Sequence, residues 1–314
     1  MDGRIFMRVV LIQHFFGRAD WLFSAYVASH TCTASILSAL KIFRQQLTGC
    51  IHATQLNQLV LQCMEYTLKK SLGQHFLQDE TICTRIVAAL QQNSFSQLVE
   101  VGPGAGALTK YLLQIPGIDF SAVEVDTEKV HYLERTYPVL KGRIIHEDFL
   151  ETAIPFTGDF VVVGNFPYNI STQIVFKVLE WKQQVPVMIG MFQKEVAQRI
   201  VSGPGSKVFG ILSVLVQAFY EVDYLFDVAP TAFNPPPKVV SGVIRLTRKK
   251  QPAVIKSERS FFVLVKTAFN QRRKTLRNAT RSLFDAAVLE DPIFNQRAEQ
   301  LSMEEFAALT FKMS

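Results

Sequence analysis

Two short stretches of this 314-residue chain combine residue types that can do chemistry. The first is Val99-Glu100-Val101-Gly102-Pro103-Gly104-Ala105-Gly106, an apolar run entering a glycine-rich turn. Glycine lets a ligand approach backbone that a side chain would block. Two carboxylates follow, Glu124 lying 22 residues after Gly102 and Asp148 another 24 residues on. Glu124 ends an expected strand, and Asp148 follows the next one. There Glu124 can accept hydrogen bonds from both hydroxyls of a ribose, and Asp148 can hold an adenine amino group. The set suits a nucleotide-like cofactor without choosing one. Gly102-x-Gly104-x-x-Ala107 also fits a degenerate dinucleotide fingerprint, which would mean NAD, and a glycine turn can merely tighten a strand–helix junction.

The second stretch is Asn165-Phe166-Pro167-Tyr168. A hydride-transfer enzyme has no evident use for it, whereas an enzyme that methylates an amino group does. The exocyclic nitrogen of adenine is a poor nucleophile because its lone pair is delocalised into the ring. The Asn165 side-chain oxygen and a backbone carbonyl near Pro167 can accept its two N–H bonds. That favours a pyramidal nitrogen with its lone pair aimed at a methyl group. Pro167 removes one donor and stiffens the turn. Tyr168 can stack on an extracted base, a role for its ring and not its hydroxyl. With S-adenosylmethionine as donor the methyl is already activated, so positioning and electrostatics suffice. The reading calls for no metal and no strong general base. An Asn-x-Pro-Tyr in an arbitrary loop is usually only a turn. Its place, one strand after Asp148 and two after Glu124, gives it meaning.

The elements that must position these residues follow an α/β rhythm from Lys69 onward. The pattern predicts helices over 81–91, 107–114, 128–136 and 172–181. It predicts strands over 97–101, 120–125, 143–146, 160–163 and 187–192. Strands alternating with helices of about ten residues imply a parallel sheet covered on both faces. Residues 256–314 read as helical, with Phe262, Val265, Phe269, Leu276 and Leu283 on one apolar stripe. Arg273, Arg277 and Arg281 are spaced as a neighbouring basic stripe. Ser302 and Glu305 can form a capping box, with Leu301 stapled to Phe306. We therefore read residues 67–250 as a cofactor-binding α/β domain and 251–314 as a small helical domain.

Charge is unevenly spread. The chain holds 33 Lys/Arg and 27 Asp/Glu, but the segment from Lys238 to Arg281 alone has 13 basic residues and one acid, Glu258. The remainder is net −6, so the basic excess sits in one segment, as expected of a nucleic-acid binder; a solvated basic face is the plainer alternative. The four cysteines, Cys32, Cys50, Cys63 and Cys83, form no CxxC pair and show no metal-like spacing. They fit a reducing compartment and buried or idle thiols, and the expected location is cytoplasmic. Residues 1–66 are apolar, with no acid between Trp21 and Met64. Arg18 and Asp20 interrupt the first apolar run, which speaks against a membrane span or signal segment. A mitochondrial transit peptide and a non-native extension outside the catalytic core, with the true start near Met64, also compete. We favour the last.

Several stretches together resemble the small-subunit ribosomal RNA adenine N6,N6-dimethyltransferase family, called KsgA or RsmA in bacteria. They are Lys70-Ser71-Leu72-Gly73-Gln74-His75-Phe76-Leu77, the Gly102 loop, Asn165 to Thr172, Gln193-Lys194-Glu195-Val196, Phe233 to Val239, and Phe269 to Asn278. The resemblance runs from Lys69 to about Met313. It implies a Rossmann-like class I methyltransferase sheet with a small C-terminal helical domain. It implies S-adenosylmethionine contacts at His75, Leu77, Gly102, Glu124, Asp148 and Asn165, and chemistry at Asn165, Pro167 and Tyr168. His75 stands where relatives often carry Asn, so only its backbone contact transfers. The implied substrate is a pair of adjacent adenines in a hairpin loop near the 3′ end of small-subunit rRNA, within the ribosomal small subunit. The basic candidates for RNA contact are Lys238, Arg272, Arg273, Lys274, Arg277 and Arg281. The expected protein is a monomer with no membrane partner. The related large-subunit rRNA adenine methyltransferases share the catalytic motif but not the run from Phe269 to Asn278. A non-catalytic rRNA-binding assembly factor or a transcription factor on the same fold is the remaining alternative. The intact Gly102, Glu124, Asp148 and Asn165 speak against that reading.

Overall fold

Leu98, Val99 and Val101, and Val161 to Val163, are buried on both faces of their strands, the pattern of central strands in a parallel sheet. The computed structural model describes residues 75–314. The extension over 1–66 and the motif residues Lys70 to Gln74 lie outside the described residues.

Chain order begins with β1 (Phe76–Leu77), α1 (Glu80–Leu90), β2 (Gln97–Val101), α2 (Thr109–Leu112), β3 (Asp119–Val123), α3 (Thr127–Thr136) and β4 (Ile144–Ile145). It continues with β5 (Val161–Asn165), α4 (Ser171–Glu180), β6 (Val187–Gln193), α5 (Lys194–Val201), α6 (Ile211–Gln217), β7 (Tyr220–Val228), β8 (Phe233–Asn234) and β9 (Ser241–Arg248). The main sheet runs β4-β3-β2-β5-β6-β9-β7. Its first five strands are parallel, and β9 joins β6 and β7 antiparallel. The wholly parallel sheet expected from the α/β rhythm is thus parallel-dominated, with an antiparallel pair at one edge. That pair lies beyond the last alternation of strand and helix, so the rhythm carried no trace of it.

Alternate residues of β2 and β5 feed two cores. Leu98, Val161 and Val163 pack with α1 residues Ile82, Ile86 and Leu90 on one face. Val99, Val101 and Val162 pack with α4 residues Ile174, Val175 and Val178 on the other. The strand order reverses between β2 and β5, and a ligand crevice opens at such a switch point beyond the carboxyl ends of the strands.

Helix α7 (Glu258–Asn270) starts at Ser257, whose Oγ accepts the Ser260 N–H. It buries Phe261, Leu264, Val265 and Ala268. The buried stripe is rotated from the expected one, and Phe262 is 40% exposed. The helix also ends at Asn270. Thr275 bridges Arg297, and the Leu276 N–H goes to the Gln296 carbonyl, so tertiary pairing replaces the next helical turn. The remainder is the short helices α8 (Leu276–Ala279), α9 (Ala286–Leu289) and α10 (Met303–Leu309), with 3-10 turns between them. Arg273, Arg277 and Arg281 therefore do not share one helix, contrary to their spacing. The Ser302–Glu305 capping box forms as expected, with Leu301 and Phe306 buried beside it.

This C-terminal core is continuous with the sheet domain through α6. Leu212 and Val216 face the core under the sheet, while Val214 and Leu215 pack with Phe261, Leu264 and Phe306. A helix apolar all round is buried on both sides.

Candidate active site

A cavity of about 250 Å³ opens at the switch point, and the eight expected cofactor and catalytic residues line it together. They are His75, Leu77, Gly102, Glu124, Asp148, Asn165, Pro167 and Tyr168.

The loop after β2 turns through Gly102 at φ +67° and Gly104 at φ +57°, left-handed values that an L side chain rarely adopts. Glu124 follows β3 and is only 6% exposed. Its Oε2 accepts the Gly104 N–H at 3.1 Å and its Oε1 accepts the Asp126 N–H at 2.9 Å. Burial pushes its carboxyl up from the ordinary value, and these two backbone bonds oppose the rise. Each oxygen keeps a lone pair for a further donor. Asp148, after β4, uses Oδ1 to accept the Leu150 N–H at 2.9 Å, leaving Oδ2 for a ligand.

Asn165 ends β5 and pairs with Met191 of β6. Its Nδ2 donates to the His75 carbonyl at 3.2 Å. A carbonyl can only accept, so the amide is oriented with its nitrogen toward His75, and no described residue donates to Oδ1. Phe166 turns the other way and is buried against Phe192 and Gly190. Pro167 packs beside Gly102, and its carbonyl accepts the Ile170 N–H at 3.1 Å with one lone pair to spare. The Tyr168 hydroxyl meets Ser241 Oγ at 2.6 Å, a partner that a purely stacking role did not anticipate. His75 is held in turn: its Nδ1 lies 2.8 Å from the Pro235 carbonyl, and β1 pairs antiparallel with β8.

The lining includes residues that sequence reasoning passed over. Val125 is 50% exposed on the cavity wall, an apolar surface suited to a flat heterocycle. Glu100 is buried, accepts the Thr109 hydroxyl at 2.7 Å, and has its carboxyl pushed up to about 8 by burial, against the Thr109 bond. Glu100 looked like one more strand residue, because alternation does not say which face is solvated. Cys83 is buried and its thiol is pushed up to about 11 by burial, which suits an inert core residue.

The basic candidates lie away from this cavity's lining. Lys238, Arg273, Lys274 and Arg281 are exposed. Arg272 donates to the Ser206 carbonyl at 3.3 Å and lies 3.7 Å from Glu299. Arg277 lies 3.9 Å from Glu290.

The sequence profile of the ribosomal RNA adenine dimethylase family matches residues 65–312. The chain belongs to that family. Family members take their methyl groups from S-adenosylmethionine. The cavity fits that cofactor: a buried carboxylate with spare acceptors for ribose hydroxyls, an apolar wall and a second carboxylate for adenine, and left-handed glycines where backbone must come close. Among the family's curated members, the small subunit methyltransferase A of Flavobacterium johnsoniae is 53% identical over 249 residues, 78% of this chain and 95% of that protein. The Porphyromonas gingivalis counterpart is 47% identical over 253 residues, 79% of this chain and 98% of that one. Two solved structures share the family fold. A dimethyladenosine transferase from Plasmodium falciparum gives a TM-score of 0.63 at 24% identity, covering 74% of this chain and 94% of that one. The 23S rRNA methyltransferase ErmE gives 0.60 at 23% identity, covering 76% and 99%.

Proposed function

We propose that this chain transfers methyl groups from S-adenosylmethionine to N6 of two adjacent adenines in a hairpin loop near the 3′ end of small-subunit rRNA, during assembly of the ribosomal small subunit. The observation that carries the reading is the convergence of Asn165, Pro167 and Tyr168 on the cavity that Glu124 and Asp148 also line. Relatives named for the small subunit, about half identical over nearly their whole length, support the small over the large subunit.

The cofactor supplies an electrophilic methyl group when bound. Glu124 holds the ribose, Asp148 and Val125 the adenine, and the backbone about Gly102 and Leu77 completes the cradle. The target adenine leaves its stack, because a base inside a helix cannot present N6. Tyr168 stacks on it. Asn165 Oδ1 and the Pro167 carbonyl accept its two amino hydrogens, and the His75 carbonyl keeps the Asn165 amide in the accepting orientation. These acceptors strengthen as the nitrogen becomes pyramidal and acidic, so they act on the transition state more than on the bound base. No described helix is long and apolar enough to cross a membrane. We read the protein as a cytoplasmic monomer, whose exposed Lys238, Arg273, Lys274 and Arg281 meet rRNA phosphates, joined by whatever reach Arg272 and Arg277 retain.

The test is methyl transfer to immature small subunits followed by mapping of the modified bases. Two adjacent dimethylated adenines near the 3′ end are expected. Methylation confined to large-subunit rRNA, or binding of NAD in place of S-adenosylmethionine, would overturn the reading. Asn165→Ala should lower kcat far more than subunit affinity; a parallel fall in both would make Asn165 an anchor for substrate instead.

A further inference from the structure

The catalytic loop has a second support that its sequence does not reveal. Ser241 opens β9 and is wholly buried. Its backbone lies between β6 and β7, opposite Gln193 on one side and Val228 on the other, so its Cα is set by three strands of the main sheet. Its Oγ lies 2.6 Å from the Tyr168 hydroxyl, 73 residues earlier in the chain. Tyr168 sits in the turn between β5 and α4, where the ladder no longer constrains the backbone. The turn is tied at Phe166 by burial, at the Tyr168 carbonyl by the Ser171 hydroxyl at 3.1 Å, and at Asn165 by the His75 carbonyl. None of these holds the far end of the Tyr168 side chain. The Ser241 bond does, anchoring the hydroxyl and with it the direction of the ring's long axis, and the His75 ring stands beside it at 5.7 Å between centroids with a 30° tilt.

We propose that Ser241 is a positioning residue: its hydroxyl, held by the sheet, fixes where the Tyr168 ring lies and which way its long axis points, and so where the target base stacks. This rests on the proposed reaction and assigns a part to a residue outside the cavity lining. A base stacked on a ring free to swing about its Cα–Cβ bond would present N6 over a range of positions, only some of them in line with the methyl. Rate falls steeply with such misalignment. The bond ties the hydroxyl of Tyr168 to function although the hydroxyl need not touch the base.

The experiment is a double-mutant cycle on methyl transfer to immature small subunits, with Ser241→Ala, Tyr168→Phe and the pair. Each single variant removes the same bond from one end. A buried neutral hydrogen bond contributes a factor of about three to ten, and kcat should fall by that much in each single variant. The pair should be no slower than the slower single variant, because the bond can be lost only once. S-adenosylmethionine affinity, measured by equilibrium binding, should be unchanged in all three, which a general loosening of the sheet would not allow. Wild-type kcat in Ser241→Ala, effects that multiply in the pair, or cofactor affinity falling with kcat would each overturn the proposal. If Ser241→Ala does not fold, Tyr168→Phe decides alone: a wild-type kcat there overturns it. A wild-type chain that binds the cofactor yet methylates no subunit would instead overturn the functional reading, before any variant is compared.

Discussion

Glu124 is the residue whose removal should separate cofactor binding from everything else. It accepts two backbone N–H groups and, in the proposed site, two ribose hydroxyls. Hydrogen bonds to a charged acceptor contribute about 1.5–3 kcal/mol each. Glu124→Ala should therefore weaken S-adenosylmethionine at least tenfold in an equilibrium binding measurement, and a folded variant of unchanged affinity would remove Glu124 from the site. Glu100 makes a different prediction. Its carboxyl is raised to about 8 by burial, from an ordinary value of 4.5. Between those values the unfolded chain has released the proton and the folded chain still holds it. Folding stability attributable to Glu100 is thus complete below about pH 4.5, falls as pH rises, and levels off above about 8. Glu100→Gln stays neutral throughout and should lose that part of the decline. Urea unfolding at pH 5 and pH 8 checks it; an identical pH dependence in the variant would place Glu100 in a better-solvated setting.

At the scale of elements, the site depends on how β5 and β6 approach each other. Phe166 leaves the catalytic turn and lodges over Gly190 of β6. A Cβ built at Gly190 would stand 2.2 Å from the Phe166 ring, so the ring must move to admit a methyl group. Moving Phe166 moves Asn165 and Pro167 on either side of it. Gly190→Ala should cost about 1–3 kcal/mol of folding stability by overpacking, and should lower kcat in the fraction that remains folded. Wild-type unfolding midpoint and turnover would mean that the ring has a second place to go. The ribbon of β1 and β8 is a second such element. Through His75 it holds Asn165, and through Pro235 it holds His75, so two distant segments meet at the catalytic amide.

At the scale of the molecule, charge in the sequence is not charge on the surface. The Lys238 to Arg281 segment carries 13 basic residues. Four of them are engaged with acids from elsewhere: Arg245 with Asp223, Arg248 with Asp159, Arg272 with Glu299 and Arg277 with Glu290. Arg273 and Lys274 are exposed in the turn after α7. Replacing both with Gln should weaken subunit binding and reduce the slope of log affinity against log salt by about 0.7–0.9 for each phosphate no longer neutralised. Arg272→Gln should change that slope less, because its guanidinium already ties the loop at Ser206 to the C-terminal helices. Equal slopes for wild type and the Arg273, Lys274 double variant would return this face to the plain reading of a solvated surface.

The local devices were legible in the chain itself. Strand β2 appears where its apolar run stands, the Gly102 turn follows it, α3 and α4 begin within a residue of their expected starts, and the Ser302 capping box forms. Each depends on residues within a few positions of one another, which periodicity and capping chemistry describe. The convergence of Glu124, Asp148 and Asn165 followed as well, since successive parallel strands bring their carboxyl ends to one edge. What only the tertiary structure decided were relations between segments far apart. The antiparallel β7–β9 pair, the end of α7 at Asn270, the burial of Phe166 over Gly190 and the Ser241–Tyr168 bond all depend on partners more than a dozen residues away. No local pattern encodes such a partner. A serine at a strand start looks the same whether it faces water or a tyrosine, and its neighbour is chosen when β9 is inserted beside β6.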